Sequence, residues 1–370
     1  MKFICTKKDL LDGINIVSKA VPSKTTMPIL ECVLITTCED GISLTANDME
    51  LGIETVIPAR IIESGTIAIN ERLFSEIVRK MPENDILVET DQFKKVEISC
   101  ENAFFTLAGK EGEDFSYLPY IEKEKSIYLS EFSLKEIIRQ TIFSISDNDS
   151  NKMMTGELFE IRGNKLKVVS LDGHRIAIRQ IELKESFEDM DVIVPGKTLI
   201  ELRKILSDDQ DEEAKIFFSR NHCIFEFGKT KVISRIIEGE YFKVNRMLSS
   251  DYETKVVINK KNLINSVERA SLLVREGDKK PIIMTISEGK MEIKMKNPIG
   301  NMEEKIDIYK EGRDIMIGFN PKFILDALRV IDEEDVTIYL INSKSPCFIR
   351  DDEGKYIYLI LPVDFNIAKN

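Results

Sequence analysis

Histidine is nearly missing from this chain: 370 residues contain two, His174 and His222. Two imidazoles cannot supply a histidine-rich metal centre. Cysteine is sparse too. Six cysteines are scattered at positions 5, 32, 38, 100, 223 and 347 with no CxxC spacing, which favours reduced, structural thiols over disulfides or metal ligation. No apolar run reaches the ~18 residues of a membrane span, and the opening MKFICTKKDL has no apolar signal-peptide core. A soluble, cytoplasmic protein without cofactor, metal or membrane partner is expected. Glycine-rich phosphate loops and nucleophile elbows are absent as well. Positive charge is in deficit: 52 Lys and Arg against 64 Asp and Glu leave a net −12, which argues against holding nucleic acid by bulk attraction. What the chain does have is 43% apolar residues, enough for real cores. Its length suits two or three domains at about 150 residues each.

Net charge hides distribution, and distribution follows from an internal repeat. ICTKKDLLDGINIVSKAV from Ile4, YLSEFSLKEIIRQTIFSI from Tyr128 and VINKKNLINSVERASLLV from Val257 follow one plan. A short strand meets a helix-capping residue, Thr6, Ser130 or Asn259. Leu10, Leu134 and Leu263 stand four residues later, and apolar residues recur four and eleven positions beyond them: Ile14 and Val21, Ile138 and Ile145, Val267 and Val274. A second set starts at Ile69, Val194 and Phe319, both offsets being 125 residues, with Asn70, Pro195 and Asn320 marking helix starts. Its apolar columns are Phe74/Leu199/Ile324 and Ile77/Leu202/Ala327. Its basic columns are Arg72/Lys197/Lys322 and Arg79/Lys204/Arg329, seven residues or about two turns apart and so on one face. Each such helix reads either as an ordinary solvated surface or as a face meant for phosphate. Repetition in all three copies favours phosphate. Acidic clusters at 207–213 and 332–335 fall in expected loops, so charge is segregated by sign.

A third set, ISLTANDM from Ile42, LKVVSLDG from Leu166 and MEIKMKNP from Met291, is an alternating strand entering a turn, with Asp48, Asp172 and Asn297 in one column. The middle copy continues LDGHRIAI, and His174 and Arg175 are particular to it. Three α+β domains are expected, 1–124, 125–253 and 254–370, with polar or charged linkers near 121–126 and 249–255.

TMPILECVLI (26–35), SLDGHRIAI (170–178), VIVPGKTLIEL (192–202), SRIIEGEYF (234–242) and LILPV (359–363), in this order and spacing, resemble the bacterial DNA sliding clamps, the beta subunit of the replicative DNA polymerase III. The resemblance covers nearly the whole chain. It implies the DNA-clamp fold, three repeated domains each with two inner helices and outer antiparallel sheets, and a homodimer closed head to tail into a ring. It also implies sequence-independent duplex DNA in the hole, which suits exchangeable Lys and Arg contacts to phosphate. Lys24 and Lys197 match DNA-contacting positions of the family. Around Asn148, Lys152 and Met153 a DNA-touching loop is matched poorly, leaving Lys152 as its candidate. Leu272 and Leu273 resemble the family's apolar interface pair and would meet Phe104 and Phe105; the plainer alternative for all four is core.

The family docks linear peptides of the polymerase III catalytic subunit, the clamp loader, other polymerases and repair proteins in one pocket. By motif match that pocket is Met154, Leu171, Gly173, His174, Arg175, Ile176, Phe242, Arg246, Met247, Ser345, Leu359, Ile360, Leu361, Pro362, Val363 and Phe365. Met154, Ile176, Met247, Ile360, Leu361 and Val363 would accept Leu or Phe anchors, with Arg175 and Arg246 holding polar groups at the rim. Phe242 replaces a common proline and Asp364 a common basic residue, and NIAKN extends the end. Two rival readings remain. A hydrolase using Asp172, His174 and Arg175 would need converging side chains from distant segments. A three-repeat interaction scaffold without DNA encirclement leaves the basic columns without a purpose.

Overall fold

The computed structural model describes residues 1–115, 118–119, 121–123, 125–148, 150–274 and 280–365. Among them are six α-helices, two per repeat: α1 (Lys7–Val17), α2 (Glu71–Lys80), α3 (Glu131–Arg139), α4 (Gly196–Arg203), α5 (Lys260–Ser271) and α6 (Pro321–Val330). Their starts are set by short polar side chains that accept from otherwise unpaired N–H groups. Thr6 accepts from Asp9, Ser130 from Ser133 and Asn259 from Asn262, at 3.0, 3.2 and 3.1 Å. Asn70 and Asn320 do the same for α2 and α6. Each cap is worth about 1 kcal/mol.

The apolar columns are the core. Leu10, Ile14, Leu134, Ile138, Leu263 and Val267 are fully buried, and so are Phe74, Leu199 and Ile324 with Ile77, Leu202 and Ala327 behind them. The positions eleven beyond the leucines are a correction to the helical reading. α1, α3 and α5 stop at Val17, Arg139 and Ser271, so Val21, Ile145 and Val274 lie past the helices. In the first two copies a 3₁₀ turn, Ser18–Ala20 or Ile142–Ser144, follows the helix and ends its 3.6-residue spacing.

The chain forms two compact units, 1–135 with 197–236 and 136–196 with 237–370, and the middle repeat contributes to both. All strand pairs are antiparallel, and strands are numbered along the chain. The first unit has a five-stranded sheet ordered Arg60–Glu63 (β5), Lys2–Thr6 (β1), Asp85–Thr90 (β7), Lys95–Cys100 (β8), Ala103–Ala108 (β9). Its eight-stranded sheet runs Lys125–Ser130 (β10), Glu213–Phe218 (β13), His222–Phe227 (β14), Thr230–Arg235 (β15), Leu51–Ile57 (β4), Gly41–Asn47 (β3), Cys32–Cys38 (β2), Thr66–Asn70 (β6). The second unit has a seven-stranded sheet, Gly156–Leu171 (β11), Arg175–Pro195 (β12), Tyr356–Ile360 (β24), Cys347–Arg350 (β23), Asp335–Leu340 (β22), Thr254–Asn259 (β16), Tyr309–Gly312 (β20). A four-stranded sheet, Gly300–Asp307 (β19), Lys290–Asn297 (β18), Ile282–Ser287 (β17), Ile315–Phe319 (β21), completes it.

Two of these pairings join one repeat to the next. β15 of the middle repeat adds to β4 of the first, and β24 of the last adds to β12 of the middle. No described helix is long and apolar enough to cross a membrane.

Candidate functional site

The turn that closes β11 onto β12 is built by Asp172. Its Oδ1 accepts from the backbone N–H of His174 at 2.9 Å and of Arg175 at 3.1 Å. Gly173 takes φ +88 with nothing within 4 Å of where a Cβ would stand, so backbone conformation rather than space calls for glycine. Asp48 makes the same turn with Glu50 and Leu51 at 3.0 and 2.7 Å, and Asn297 with Ile299 and Gly300 at 2.9 and 3.2 Å. The aligned Asp/Asp/Asn column is therefore turn chemistry in all three copies.

Arg175 is not a rim residue. Its side chain is 6% exposed, and three of its donors are committed. Nε donates to Asp172 at 2.9 Å, Nη1 to Asp326 on α6 at 2.7 Å, and Nη2 to the Phe143 carbonyl at 2.5 Å. The guanidinium also lies 4.6 Å from the Phe323 ring and 5.3 Å from the Phe143 ring. His174 is exposed and stacks on Phe323 with ring centres 5.9 Å apart. The trio that looked catalytic is a clasp: Asp172 shapes the turn and pairs with Arg175, Arg175 ties the turn to α6, and the imidazole covers Phe323. No residue of this set is left to act as nucleophile and base together.

Beside the clasp lies an apolar cluster. Leu171, Ile176 and Leu359 are buried in it with Leu158, Val169, Ile178, Tyr241 and Val244, while Met153, Met154, Phe242 and Leu248 pack on it half-exposed. Met247 is 52% and Leu361 37% exposed. Burial pushes the Tyr241 hydroxyl up, and its oxygen lies 3.3 Å from the Val169 carbonyl. Arg246 sits exposed on the 3₁₀ turn Val244–Arg246, and Ser345 in the Asn342 turn between β22 and β23. Three expected pocket residues face elsewhere. Ile360 alternates away from Leu359 into the core of the last repeat. Val363 and Phe365 lie over Gly318 of β21 in the four-stranded sheet: the Val363 N–H donates to the Gly318 carbonyl at 2.8 Å, and a Cβ on Gly318 would stand 2.8 Å from the Phe365 ring. Pro362 is half-buried between them, and NIAKN lies outside the described residues. Sequence reasoning missed Phe143, Phe323 and Asp326, the partners of Arg175. Nothing in their local pattern signals a partner 32 to 151 residues away.

The other copies of this site are not apolar. Aligned on the Asx turn, Leu171, Ile176 and Ile178 become Asn47, Gly52 and Glu54 in the first copy and Lys296, Asn301 and Glu303 in the third. In the first copy the chain fills the place itself: a Cβ on Gly52 would meet a Leu118 methyl at 2.1 Å.

All six residues of the basic columns are exposed. Carboxylates temper four of them. Arg72 lies 4.0 Å from Glu76, Lys204 2.7 Å from Glu201 and Arg329 2.8 Å from Glu268, and Lys197 pairs with Asp48. Lys204 stands one residue past the end of α4. Lys24 and Lys152 are exposed in a loop and on a 3₁₀ turn. Phe104 and Phe105, 59% and 41% exposed on β9, and Leu272, 82% exposed, are not core. Leu273 packs half-buried against the core of the last repeat.

Models of the DNA polymerase III beta subunit match in order: the N-terminal domain over residues 1–119, the central domain over 128–243 and the C-terminal domain over 245–364. The chain belongs to the DNA polymerase III beta-subunit family. It is 33% identical to the beta sliding clamp of Staphylococcus epidermidis, covering 98% of this chain and 99% of that one. Among solved structures, a putative DNA polymerase III beta subunit from Eubacterium rectale is 62% identical with a TM-score of 0.95, covering 99% of this chain and 100% of that one. The Bacillus subtilis sliding clamp is 32% identical with the same TM-score and coverage. The three tandem α+β repeats are thus the family's clamp fold, and the chain is a non-catalytic processivity subunit rather than a hydrolase.

Proposed function

We propose that two copies of this chain close head to tail around duplex DNA in the cytoplasm and tether the polymerase III catalytic subunit. Clamp loader, other polymerases and repair proteins dock by linear motifs at the Leu171–Ile176–Leu359 cluster. The three domains span 1–124, 125–253 and 254–370. The observation that carries the docking reading is the contrast between copies: one turn occurs three times, and its flank is apolar and half-open in the middle copy alone. Met153, Met154 and Met247 suit partners of varied shape. A peptide with glutamine followed by an apolar–Leu–aromatic run is the expected ligand, its preference shifted by Phe242 and Asp364.

For DNA, the support is six exposed cations at matching places along α2 and α6 and along or one residue past α4, with Lys24 and Lys152 added. Their partial pairing with carboxylates fits a molecule held on DNA by topology, since tight phosphate binding would oppose sliding. The deciding experiment is loader-dependent retention on a DNA circle. Loss on linearising the circle is expected. Equal retention on both forms would favour the scaffold reading without encirclement. Docking is tested by calorimetry with Met247→Ala, whose exposed side chain can be cut without unfolding; unchanged peptide affinity would refute the pocket assignment.

A further inference from the structure

We propose that Thr141, Ser144, Glu157 and Ser170, buried beneath the docking cluster, form a proton-operated latch. With Glu157 protonated the 3₁₀ turn Ile142–Ser144 stays closed and holds Arg175. With Glu157 ionised the turn opens and peptide docking weakens. The link to docking rests on the reading above; the movement of the turn does not.

The latch is visible as four exceptions to the repeat. Thr141 stands seven residues past Leu134, where the other copies have Val17 and Ala270. Ser144 stands ten past it, where they have Ala20 and Leu273. Glu157 faces Val194, and the matching places opposite Ile69 and Phe319 are held by Val33 and Ile282. Ser170 stands two residues before the turn-forming Asp172, where the others have Ala46 and Met295. All four polar residues are fully buried. Unpaired polar groups in a core cost stability, and the middle repeat carries them where its fold accepts valine or alanine.

The four meet at one place. The Tyr241 hydroxyl lies 3.4 Å from the Gly156 carbonyl and 3.3 Å from that of Val169, so the two ends of β11 stand side by side. Ser170 Oγ donates to the Thr141 carbonyl at 2.6 Å, and the Thr141 hydroxyl lies beside the Glu157 carboxyl. Ser144 Oγ and both Glu157 oxygens have no partner. One short segment joins this set to the docking site. The Thr141 carbonyl also accepts from the Ser144 N–H at 3.1 Å, the Phe143 carbonyl accepts from Arg175 at 2.5 Å, and the Ser146 N–H donates to the Met154 carbonyl at 2.8 Å. β11 carries Leu158 and Leu171 of the cluster on its other face.

A protonated Glu157 tolerates this place and an ionised one does not. No described cation offsets a charge there, and Thr141 spends its proton on the Ile137 carbonyl. Tyr241, whose hydroxyl feels that charge, stays neutral, pushed up first by burial and then by Glu157. Water must then reach the carboxylate. β11 and β12 are paired along most of their length, whereas the turn is held by few bonds, and 3₁₀ turns of this kind serve as hinges. Its opening frees the Phe143 carbonyl from Arg175 and Met154 from Ser146.

The test is hydrogen exchange over residues 141–146 in the full chain, wild type against Glu157→Gln, from about pH 6 to about pH 9. Taking the ratio at each pH cancels the intrinsic pH dependence of exchange. Glu157→Val, which restores the residue type of the first repeat, is a second control, with both folds checked by circular dichroism. The wild-type-to-variant ratio over this segment should rise about threefold or more across the range, one proton allowing at most about tenfold per pH unit, and stay flat over α1 and α5. The Kd of the glutamine–apolar–Leu–aromatic peptide, read by calorimetry, should rise by a similar factor relative to the variants, since other titrating groups are common to all three proteins. A flat exchange ratio overturns the latch. A rising ratio with an unchanged relative Kd overturns its link to docking. No peptide binding by wild type at any pH removes the docking reading and that link with it, and the exchange ratio alone then decides whether the turn opens.

Discussion

Glu157 is fully buried on β11, and neither carboxylate oxygen has a hydrogen-bond partner. The Thr141 hydroxyl is near enough to favour the charged form slightly, but its proton goes to the Ile137 carbonyl at 2.7 Å. Burial dominates and pushes the acid well above its ordinary range. The folded chain then keeps Glu157 protonated where the unfolded chain has ionised it. Stability from this group is complete below the unfolded pKa near ~4.3 and is lost as pH rises through the folded value, at about 1.4 kcal/mol per pH unit. Glu157→Gln removes the proton linkage while keeping the shape. Wild type should therefore lose about 3–6 °C of melting temperature per pH unit relative to the variant from about pH 5 up to the folded pKa, at 2–4 °C per kcal/mol for a unit of this size. Paired acids do not confuse the comparison. Asp40, Glu292 and Glu304, held low chiefly by Lys229, Lys294 and Arg269, lose stability as pH falls and are common to both proteins. Scanning calorimetry from about pH 5 to pH 8 reads the difference. A wild-type-to-variant gap that does not change with pH would refute the buried neutral acid.

Three further outcomes follow from the turns. Arg175→Ala strands Asp172 and Asp326 and should cost about 3–5 kcal/mol in urea denaturation, with Arg175→Lys recovering little because one ammonium cannot replace the forked contacts; a cost below about 1 kcal/mol would contradict the clasp. Met49 occupies the place of Gly173 at φ 77, so Met49→Gly should raise stability by about 0.5–1 kcal/mol despite glycine's unfolded-state entropy, and a loss would show the strain to be absent. Charge reversal at Lys322, which no described carboxylate approaches within ion-pair distance, should weaken DNA binding measured at low salt more than reversal at Lys204, which Glu201 already offsets.

The fold was legible where one physical requirement repeats. A capping residue, a buried leucine four positions on and a polar turn closing a hairpin leave marks at fixed spacing, and Thr6, Ser130 and Asn259 do what their positions predict. Where the helices stop was not legible, because Val21, Ile145 and Val274 continue the apolar spacing after the backbone has changed course. Nor was the role of Arg175. A basic residue beside a binding pocket reads as a rim charge until Asp326 and Phe323, from a segment far along the chain, close over it. Ile360 failed for a simpler reason: a motif match places residues along a strand, and the two-residue alternation then sends every second one to the other face.

The three copies of one turn show how a repeated scaffold varies around one fixed feature. Each turn ends a hairpin, and its surroundings differ in chemistry from copy to copy. In the first, Asp48 pairs with Lys197 and Leu118 closes the flank, leaving no room for a guest. In the second, Arg175 draws the polar contacts inward to Asp172, Asp326 and Phe143, so Leu171, Ile176 and Leu359 can stay apolar beside the turn without a stranded charge. A buried arginine is thus what permits an apolar cluster next to two aspartates. In the third, Ile299 and Gly300 stand where the middle copy has His174 and Arg175, and Ile299 is left exposed. The residues two and three past the turn-forming carboxylate or amide, Glu50 and Leu51, His174 and Arg175, Ile299 and Gly300, are where the three copies differ in chemistry.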